Sequence, residues 1–347
     1  MFSVQEPPPH NAPRHALASV RNKLGQLCYS QVVVDAETLE RHLAEIQAGC
    51  VDPRAGLYGP DSMSWRVGRE AVVMLGGGRA SLLQLAHPWV AHAVDQHSDT
   101  RNNPIGRFNR TFTHVFAMVF GELHVALGSS RRVFRLHQTI KGTATEETSP
   151  FPKDYFANAP DALLWVQATL IEGSVQAYEI AIGPLTLAEK AQYYEEAKLF
   201  GKLFGIPQSL YPEDWTAFEA YFEDMTHQLR VGRPAQEMSE LLFTPPHLAG
   251  KPVYHWYRTM TAGLMPEPLR EPYNLRFGRR ERLLYASGKG ALRRAWRLVP
   301  GRIRFQPAYI EALRRLEGSP SPDRFGRALE QLVLWGMAPR GVSSARS

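Results

Sequence analysis

Apolar residues recur at three- and four-residue intervals through most of this 347-residue chain, whereas strand-like alternation and hairpin signals are scarce. Such spacing places apolar side chains on one face of a helix. It predicts helices at residues 36–48, 130–142, from about 160 onward, 187–205, 213–229, 235–242, 279–298, 307–316 and 323–335. The pattern Thr186-x-x-Glu189 is a capping box at the start of one of them. We therefore predict an all-α fold with a single large helical domain.

The Pro-rich first residues and the turn-rich sequence DPRAGLYGPDS separate an N-terminal part from the rest. We predict an N-terminal arm with a peripheral helix at 1–57, a main helical domain at 58–316, and a C-terminal helix with a flexible tail at 317–347. The only cysteines, Cys28 and Cys50, form no CxxC motif and have no metal-like spacing to histidines. This usage is typical of a reducing compartment and argues against a cysteine zinc site.

The longest apolar helical stretch, LLWVQATLIEGSVQAYEIAI, is interrupted by Gln167, Glu172 and Gln176. No run reaches the roughly 20 apolar residues that a membrane-spanning helix needs. The first thirty residues also lack the continuous hydrophobic core of a secretory signal. We expect a soluble cytoplasmic protein.

Positive charge is concentrated in residues 270–304, where eleven Lys and Arg residues stand against Glu271 and Glu281, a local balance of about +9 (eleven minus two). Such a segment is either a solvated helical face or a surface that attracts an anionic membrane. No nucleic-acid-binding motif accompanies it, so we expect no nucleic-acid partner.

A candidate site begins with Arg107 and Thr111, which lie four residues apart and so share one helix face. His137 follows in RRVFRLHQTIKG, where Val133, Leu136 and Ile140 mark an apolar face. We expect its imidazole at the edge of that face or turned into a pocket. Ser129 or Ser130 is predicted to cap this helix, and Gly142 to end it.

Several other kinds of site are disfavoured by spacing. The sequence GGGR lacks the Walker and dinucleotide patterns, and a tight helix crossing or a backbone against a flat ligand explains it better. His87, His92 and His97 are five residues apart, so their side chains diverge around a helix instead of converging on a metal. The chain has no Glu-x-x-His pair for a di-iron site and no GxSxG nucleophile turn.

A buried haem remains compatible with the residues around His137. Haem needs one imidazole for its iron, an apolar pocket, and cations or hydroxyls near its polar groups. The segment supplies these as Phe108, Phe112, Phe116, Met118, Phe120, Arg107, Arg110, Thr111 and Arg135. Aromatic residues at this spacing are also typical of an ordinary core, so both interpretations stay open on this ground.

The ordered motifs LYGP, WRVGREAVVMLGGGRASLLQLAHPWVAHAV, HSD, P-x-x-R-x-x-x-T, H-x-x-x-x-G and LLWVQATL resemble the MpaB/rubber oxygenase family, which includes the latex-clearing proteins. The resemblance runs from about Tyr58 to about residue 230, with weaker echoes in GLMPEPLREPYNLRFG and VPGRIRFQP. It implies an all-helical fold that encloses one b-type haem.

The resemblance also implies roles for individual residues. His137 matches the proximal iron ligand, and Arg107 and Thr111 match a pair on a neighbouring helix. Arg110 stands where rubber oxygenases can carry a lysine that closes on the iron, which implies a distal role. Relatives commonly read WVHATL where this chain has Gln167, so the pocket can differ here. The glutamate proposed for rubber cleavage has no clear match, although Asp95 and Asp99 lie in the right neighbourhood and are equally well explained as helix caps or salt-bridge partners.

The sequence thus leads to the hypothesis of a haem b-dependent oxygenase that uses O₂ and acts on an apolar, isoprenoid or lipid-like substrate, by oxidative cleavage of a carbon–carbon double bond. Two alternatives stay open. One is a non-catalytic haem- or lipid-binding protein, and the other is a helical interaction protein without a cofactor. Substrate identity, catalytic base and oligomeric state are not specified by the sequence. Peripheral membrane contact through residues 270–304 remains a further hypothesis.

Overall fold

The computed structural model describes residues 33–145, 151–245 and 248–337. The predicted N-terminal leader and the last ten residues of the tail lie outside these ranges. In the described residues the helices are α1 Ala36–Gly49, α2 Met63–Gly68, α3 Gly77–Leu85, α4 Pro88–His97, α5 Pro104–Phe120, α6 Leu123–Gln138, α7 Pro160–Ala181, α8 Leu187–Lys202, α9 Trp215–Gln228, α10 Arg233–Phe243, α11 Lys251–Leu264, α12 Glu267–Arg270, α13 Arg279–Ala295, α14 Gly301–Arg304, α15 Pro307–Leu316 and α16 Arg324–Met337. One small antiparallel hairpin, β1 Lys141–Thr143 and β2 Asp154–Phe156, follows α6.

The predicted all-α fold is confirmed, and most predicted helices are present within a few residues of their expected bounds. The Thr186–Glu189 capping box forms at the start of α8. Helix α11 and the β1–β2 hairpin were not predicted. Helix α1 buries Leu39, Leu43 and Ile46 in the main core, where it packs against α8.

Two expectations about the His137 segment are wrong. Helix α6 begins at Leu123 with Glu122 as its N-cap, so Ser129 and Ser130 lie buried in its middle instead of capping it. Its C-cap is Thr139, and Gly142 lies in β1. Serine is favoured at helix N-caps, but a buried serine in the middle of a helix can also bond to a neighbouring element. The sequence alone does not distinguish these two roles of Ser129 and Ser130.

Helix α7 is the central element of the core. It packs against α2, α3, α8, α13 and the 3-10 segment Ala71–Gly76. A Cβ atom added at Gly76 would lie 2.7 Å from the carbonyl oxygen of Gly173 on α7. Only glycine permits this approach, so the tight crossing predicted from GGGR is confirmed at Gly76.

The C-terminal helices are tied to this core through Glu70, which is 1 % exposed. The Arg304 guanidinium donates to both carboxylate oxygens of Glu70, with two distances of 2.7 Å, and the Trp296 indole N–H donates to Oε2 at 2.9 Å. Glu70 also forms a backbone bridge with Phe305. A bidentate pair satisfies the hydrogen-bonding capacity of a buried carboxylate well. The contact joins two segments that are distant in sequence, and both segments carry motifs of the family resemblance.

Replacing Gly76 by alanine should lower the free energy of unfolding by about 1–3 kcal/mol, because the new methyl group would press on the backbone of α7. Urea unfolding followed by circular dichroism measures the change. Gly128→Ala is the matched control, since a Cβ at this mid-helix position of α6 meets nothing within 4 Å. That control should raise stability by about 0.5–1 kcal/mol. Equal changes in the free energy of unfolding for Gly76→Ala and Gly128→Ala would contradict a tight crossing at Gly76.

Glu70→Gln should lower the free energy of unfolding by about 3–5 kcal/mol, because it leaves the Arg304 charge without its carboxylate in a mostly buried site. Glu122→Gln is the control, since Glu122 is more exposed and lies 3.9 Å from Arg315. Its loss should cost less than about 1 kcal/mol. Adding Arg304→Met to Glu70→Gln should restore part of the stability; a further loss would mean that Arg304 stabilises the fold without Glu70.

Candidate functional site

The hairpin of α5 and α6 brings the predicted site residues together. The two helices are joined only by Gly121 and Glu122, and they pack along their length. Midway along the pair, His114 Nδ1 and Ser129 Oγ are 2.7 Å apart. Because the helices run in opposite directions, moving seven residues back from His114 and a similar distance forward from Ser129 places Arg107 beside His137. The hairpin thus aligns two side chains that are thirty residues apart in sequence.

His137 lies on the inner face of α6. Leu136, which was expected to mark the apolar face, is 61 % exposed, so that part of the prediction is wrong. The inner face instead carries Ser130, Phe134 and the half-buried Val133 and His137. A helix that buries positions 130, 134 and 137 turns position 136 outward.

The His137 imidazole is held in its neutral form. Burial lowers the pKa of His137 to about 4; the buried Asn158 amide acts against this shift, and the positive charge of Arg107 adds to it. Its Nδ1 is buried and has no hydrogen-bond partner among the described residues. Asn158 also donates weakly to the Phe134 carbonyl, at 3.4 Å. A neutral imidazole is the form that binds metal ions.

Arg107 is a largely buried cation in the first turns of α5. Burial lowers the pKa of its guanidinium, and the like charge of Arg110 lowers it further. In the parts of the chain that the structure describes, no carboxylate pairs with Arg107. Buried cations are normally paired with an anion. Arg107 therefore has an unmet preference for an acceptor with negative charge.

The other two predicted residues lie farther out. Thr111 is exposed, and its hydroxyl donates to the Arg107 carbonyl at 3.1 Å. Arg110 is exposed as well. Arg107 and His137 are thus the inner pair, and Thr111 and Arg110 stand one turn or less from Arg107 on the outer part of α5.

Aromatic rings line α5 at four-residue steps. Neighbouring ring centroids of Phe108, Phe112, Phe116 and Phe120 are 4.4, 5.7 and 6.2 Å apart. Phe120 packs against Trp65 in the core, whereas the first three rings are only partly buried. Met118 is fully buried. Phe120 and Met118 thus belong to the hydrophobic core, whereas the rings of Phe108, Phe112 and Phe116 form an apolar wall next to Arg107.

The two candidate carboxylates have structural partners. Asp95 pairs with Arg101, whose Nε donates to Oδ1 at 2.7 Å, and Arg101 also binds Glu237 at 2.7 Å. Asp99 accepts from the Asn102 amide at 2.9 Å. Asp95 thus has the salt-bridge role left open for it, whereas the Asp99 contact with Asn102 is neither a salt bridge nor a helix cap.

Gln167, which the motif resemblance implies stands in place of a histidine, is buried between α7 and α8. Its Nε2 donates to the Ala197 carbonyl at 2.5 Å, and its Oε1 accepts from the Tyr211 hydroxyl. Both contacts are made to α8 and to the segment that follows it. Here the residue links two helices.

The three histidines His87, His92 and His97 occupy different surroundings. The His87 ring lies 4.2 Å from the ring of Phe151, measured between centroids, and burial lowers its pKa to about 3. His92 Nε2 accepts from the Thr145 amide at 3.3 Å, and His97 Nε2 lies 3.1 Å from the Lys141 carbonyl. Among the described side chains, no group of three His, Cys, Asp or Glu is arranged to hold a metal ion.

One buried charged pair was not predicted. Arg79, which is 1 % exposed, forms an ion pair with Glu172 of α7, and its Nε donates to the Leu264 carbonyl at 2.7 Å. Burial raises the pKa of Glu172, and the Arg79 charge opposes that rise. The sequence did contain a signal, because Arg79 and Glu172 are charged residues inside strongly apolar helices. A single sequence does not show that they meet.

The sequence of residues 65–300 matches the model of a family described as "ER-bound oxygenase mpaB/B'/Rubber oxygenase, catalytic domain". This match covers well over half of the chain. The chain therefore belongs to this family of oxygenase catalytic domains, and the resemblance noted in its motifs is confirmed.

Two curated relatives are uncharacterized proteins from Mycobacterium tuberculosis (strain H37Rv) and Mycobacterium bovis. Each is 27 % identical to this chain over 272 residues, which is 76 % of this chain and 96 % of the relative. No solved structure matches the chain significantly. Within the described ranges, none of the helices is both long and apolar enough to cross a membrane.

Arg107→Met should raise the free energy of unfolding of the cofactor-free protein by about 1 kcal/mol, because it removes a largely buried charge that lacks a carboxylate partner. Chemical denaturation measures the change. The control is Arg110→Met at the exposed neighbouring position, which should shift stability by less than about 0.5 kcal/mol. A clear loss of stability in Arg107→Met would show that Arg107 is paired in the folded chain after all.

Proposed function

We propose that this oxygenase is haem b-dependent and acts on an apolar, isoprenoid or lipid-like substrate. The observation that carries the proposal is the proximity of two side chains: the neutral imidazole of His137, whose Nδ1 is buried without a hydrogen-bond partner, and the largely buried cation Arg107, which lacks a carboxylate partner in the described residues. Each half of this pair would cost free energy in an ordinary core. Together they match the needs of a planar cofactor that carries both a metal ion and carboxylates.

The residues present fit such a group. A haem needs one neutral imidazole for its iron, and His137 supplies it. Its propionates need cations, and Arg107 can donate to a carboxylate through charge-assisted hydrogen bonds. When bound, the haem would supply the redox chemistry that activates O₂.

The chain's own side chains would do the positioning. The Asn158 amide, near His137, would hold the orientation of the imidazole. The partly buried rings of Phe108, Phe112 and Phe116 would exclude water and bind an apolar substrate. Burial of apolar surface contributes roughly 25 cal/mol per Å². Thr111 and Arg110, one turn or less from Arg107, would offer a hydroxyl and a second cation to polar groups at the outer edge.

Cleavage of a carbon–carbon double bond is the reaction we propose for this site. It rests on the resemblance to rubber oxygenases, and fold-level similarity alone does not specify a substrate. A non-catalytic haem- or lipid-binding protein would share the same pocket. The two differ in O₂ consumption, which only the oxygenase shows when an isoprenoid alkene is added.

The first test is the visible absorption spectrum of purified protein supplied with haem, both oxidised and reduced with dithionite. The parent should show a Soret band, and His137→Ala should weaken haem binding at least about tenfold, since it removes the only side chain proposed to bind the iron. His124→Ala is the matched control, because His124 lies on the same helix with its side chain 77 % exposed. It should bind haem like the parent.

Two outcomes would reject the proposal. A parent protein without a Soret band after haem is supplied would reject haem dependence. Equal spectra for the parent and His137→Ala would reject His137 as the ligand. If haem binds as expected but O₂ uptake does not increase with any isoprenoid alkene offered, the non-catalytic alternative is favoured.

A further inference from the structure

Helix α16 is docked on the protein through its polar side. Arg327 donates to both carboxylate oxygens of Glu311 on α15, at 3.0 and 2.7 Å, and it also pairs with Glu330. A Cβ atom added at Gly326 would lie 3.0 Å from the Pro307 ring, so the helix backbone packs closely against the start of α15. Positions 326, 327 and 330 lie on one side of a helix.

The apolar side of α16 faces outward. Phe325 is 54 % exposed and Leu332 is 62 % exposed, and seven residues separate them, so they share one face. At about 100° per residue this face lies nearly opposite the side that contacts α15. Surface helices of globular proteins normally turn their apolar face to the core. Over residues 324–333, whose side chains the structure describes, α16 therefore turns its polar side to the protein and its apolar side to solvent.

A neighbouring helix adds an exposed apolar residue. Helix α14 contacts α16, and Ile303 of α14 is exposed. We refer to Ile303, Phe325 and Leu332 as the C-terminal apolar face. Large exposed apolar side chains grouped in one neighbourhood mark an interaction site.

Residues 270–304, which end in the helix α14 that contacts α16, are strongly basic. Arg304 is bound to Glu70, and the other ten Lys and Arg residues of 270–304 have no carboxylate partner among the described residues. Helix α13 has no buried residue. The exposed cations of α13 and α14 are Arg279, Arg280, Arg282, Lys289, Arg293, Arg294 and Arg302.

We infer that the C-terminal apolar face, together with these cations, docks this protein on the surface of an anionic lipid bilayer. An interfacial helix inserts its apolar face at the boundary of headgroups and acyl chains, and basic residues add attraction to anionic lipids. Nucleic acid would satisfy the cations but would leave Phe325 and Leu332 exposed to water.

The C-terminal apolar face could also be covered by a second copy of this chain or by the chain's own terminal segments, but their charges argue against both. A second copy of this chain would bring the same positive segment, and like charges repel. Residues 1–32 carry Arg14, Arg21 and Lys23 against one acid, Glu6, and residues 338–347 carry two arginines and no acid. Neither segment has the negative charge that would complement the basic surface.

The test is flotation of the full chain with phosphatidylcholine vesicles, with and without added phosphatidylserine, at low and high salt. The parent should bind the phosphatidylserine vesicles at low salt and be released at high salt. Phe325→Ser/Leu332→Ser should reduce binding at least tenfold, and circular dichroism checks that the fold is kept. Leu187→Ser on α8 is the matched control, since Leu187 is 65 % exposed, and it should bind like the parent.

A second variant isolates the charge. Arg294→Ser/Arg302→Ser should weaken binding to phosphatidylserine vesicles several-fold and flatten its salt dependence. The inference is overturned if the parent does not bind at low salt, or if the Phe325/Leu332 variant binds like the parent. It is also overturned if the only effect of the Phe325/Leu332 variant is to convert a dimer to a monomer in size-exclusion chromatography, because a second copy would then cover the face. The same holds if the chain binds vesicles only after residues 1–32 are removed, because those residues would then cover it. Binding to a DNA duplex that equals vesicle binding and is unchanged in the Phe325/Leu332 variant would overturn it as well.

Vesicle binding needs neither haem nor substrate. Failure of this inference would therefore leave the proposed oxygenase function untouched, and loss of haem binding in His137→Ala would leave vesicle binding intact.

Discussion

The close approach of the Gly76 and Gly173 backbones sets the spacing on which the rest of the core depends. Because α7 lies so near the segment before α3, Arg79 reaches Glu172, the residue next to Gly173. The same guanidinium then holds the Leu264 carbonyl of α11 and lies 5.2 Å from the Phe222 ring centroid of α9. A buried ion pair adds little net stability but strongly penalises arrangements that separate its partners. One backbone contact thus fixes how four elements meet.

The candidate site depends on a different constraint, which is the alignment of α5 with α6. Burial at this site is unfavourable for the side chains of both Arg107 and His137, because both lose hydration there. The His114–Ser129 contact and the short Gly121–Glu122 connection keep the two helices in register. Stability supplied by the remainder of the domain therefore offsets an unfavourable site, as is typical where function requires buried charge.

Helix positions were predictable from the sequence because three- and four-residue spacing is a local property, as in α7 and α8. The start of α6 was not, because Ser129 and Ser130 serve contacts with His114 and Leu203 that involve distant residues. Helical spacing made Arg107 and His137 candidates, and the motif resemblance implied their roles, while their alignment came from the structure. The meeting of Arg79 with Glu172 and the outward orientation of the apolar side of α16 depend on tertiary packing, which a single sequence does not show.

The bond between Glu70 and Arg304 spans 234 positions of the chain. During synthesis, at roughly 5–20 residues per second, the carboxylate is made on the order of 10–50 s before its partner. Over that interval the first helices can form but cannot bury Glu70 without a penalty. The nascent domain therefore stays open at this point until its C-terminal helices have emerged.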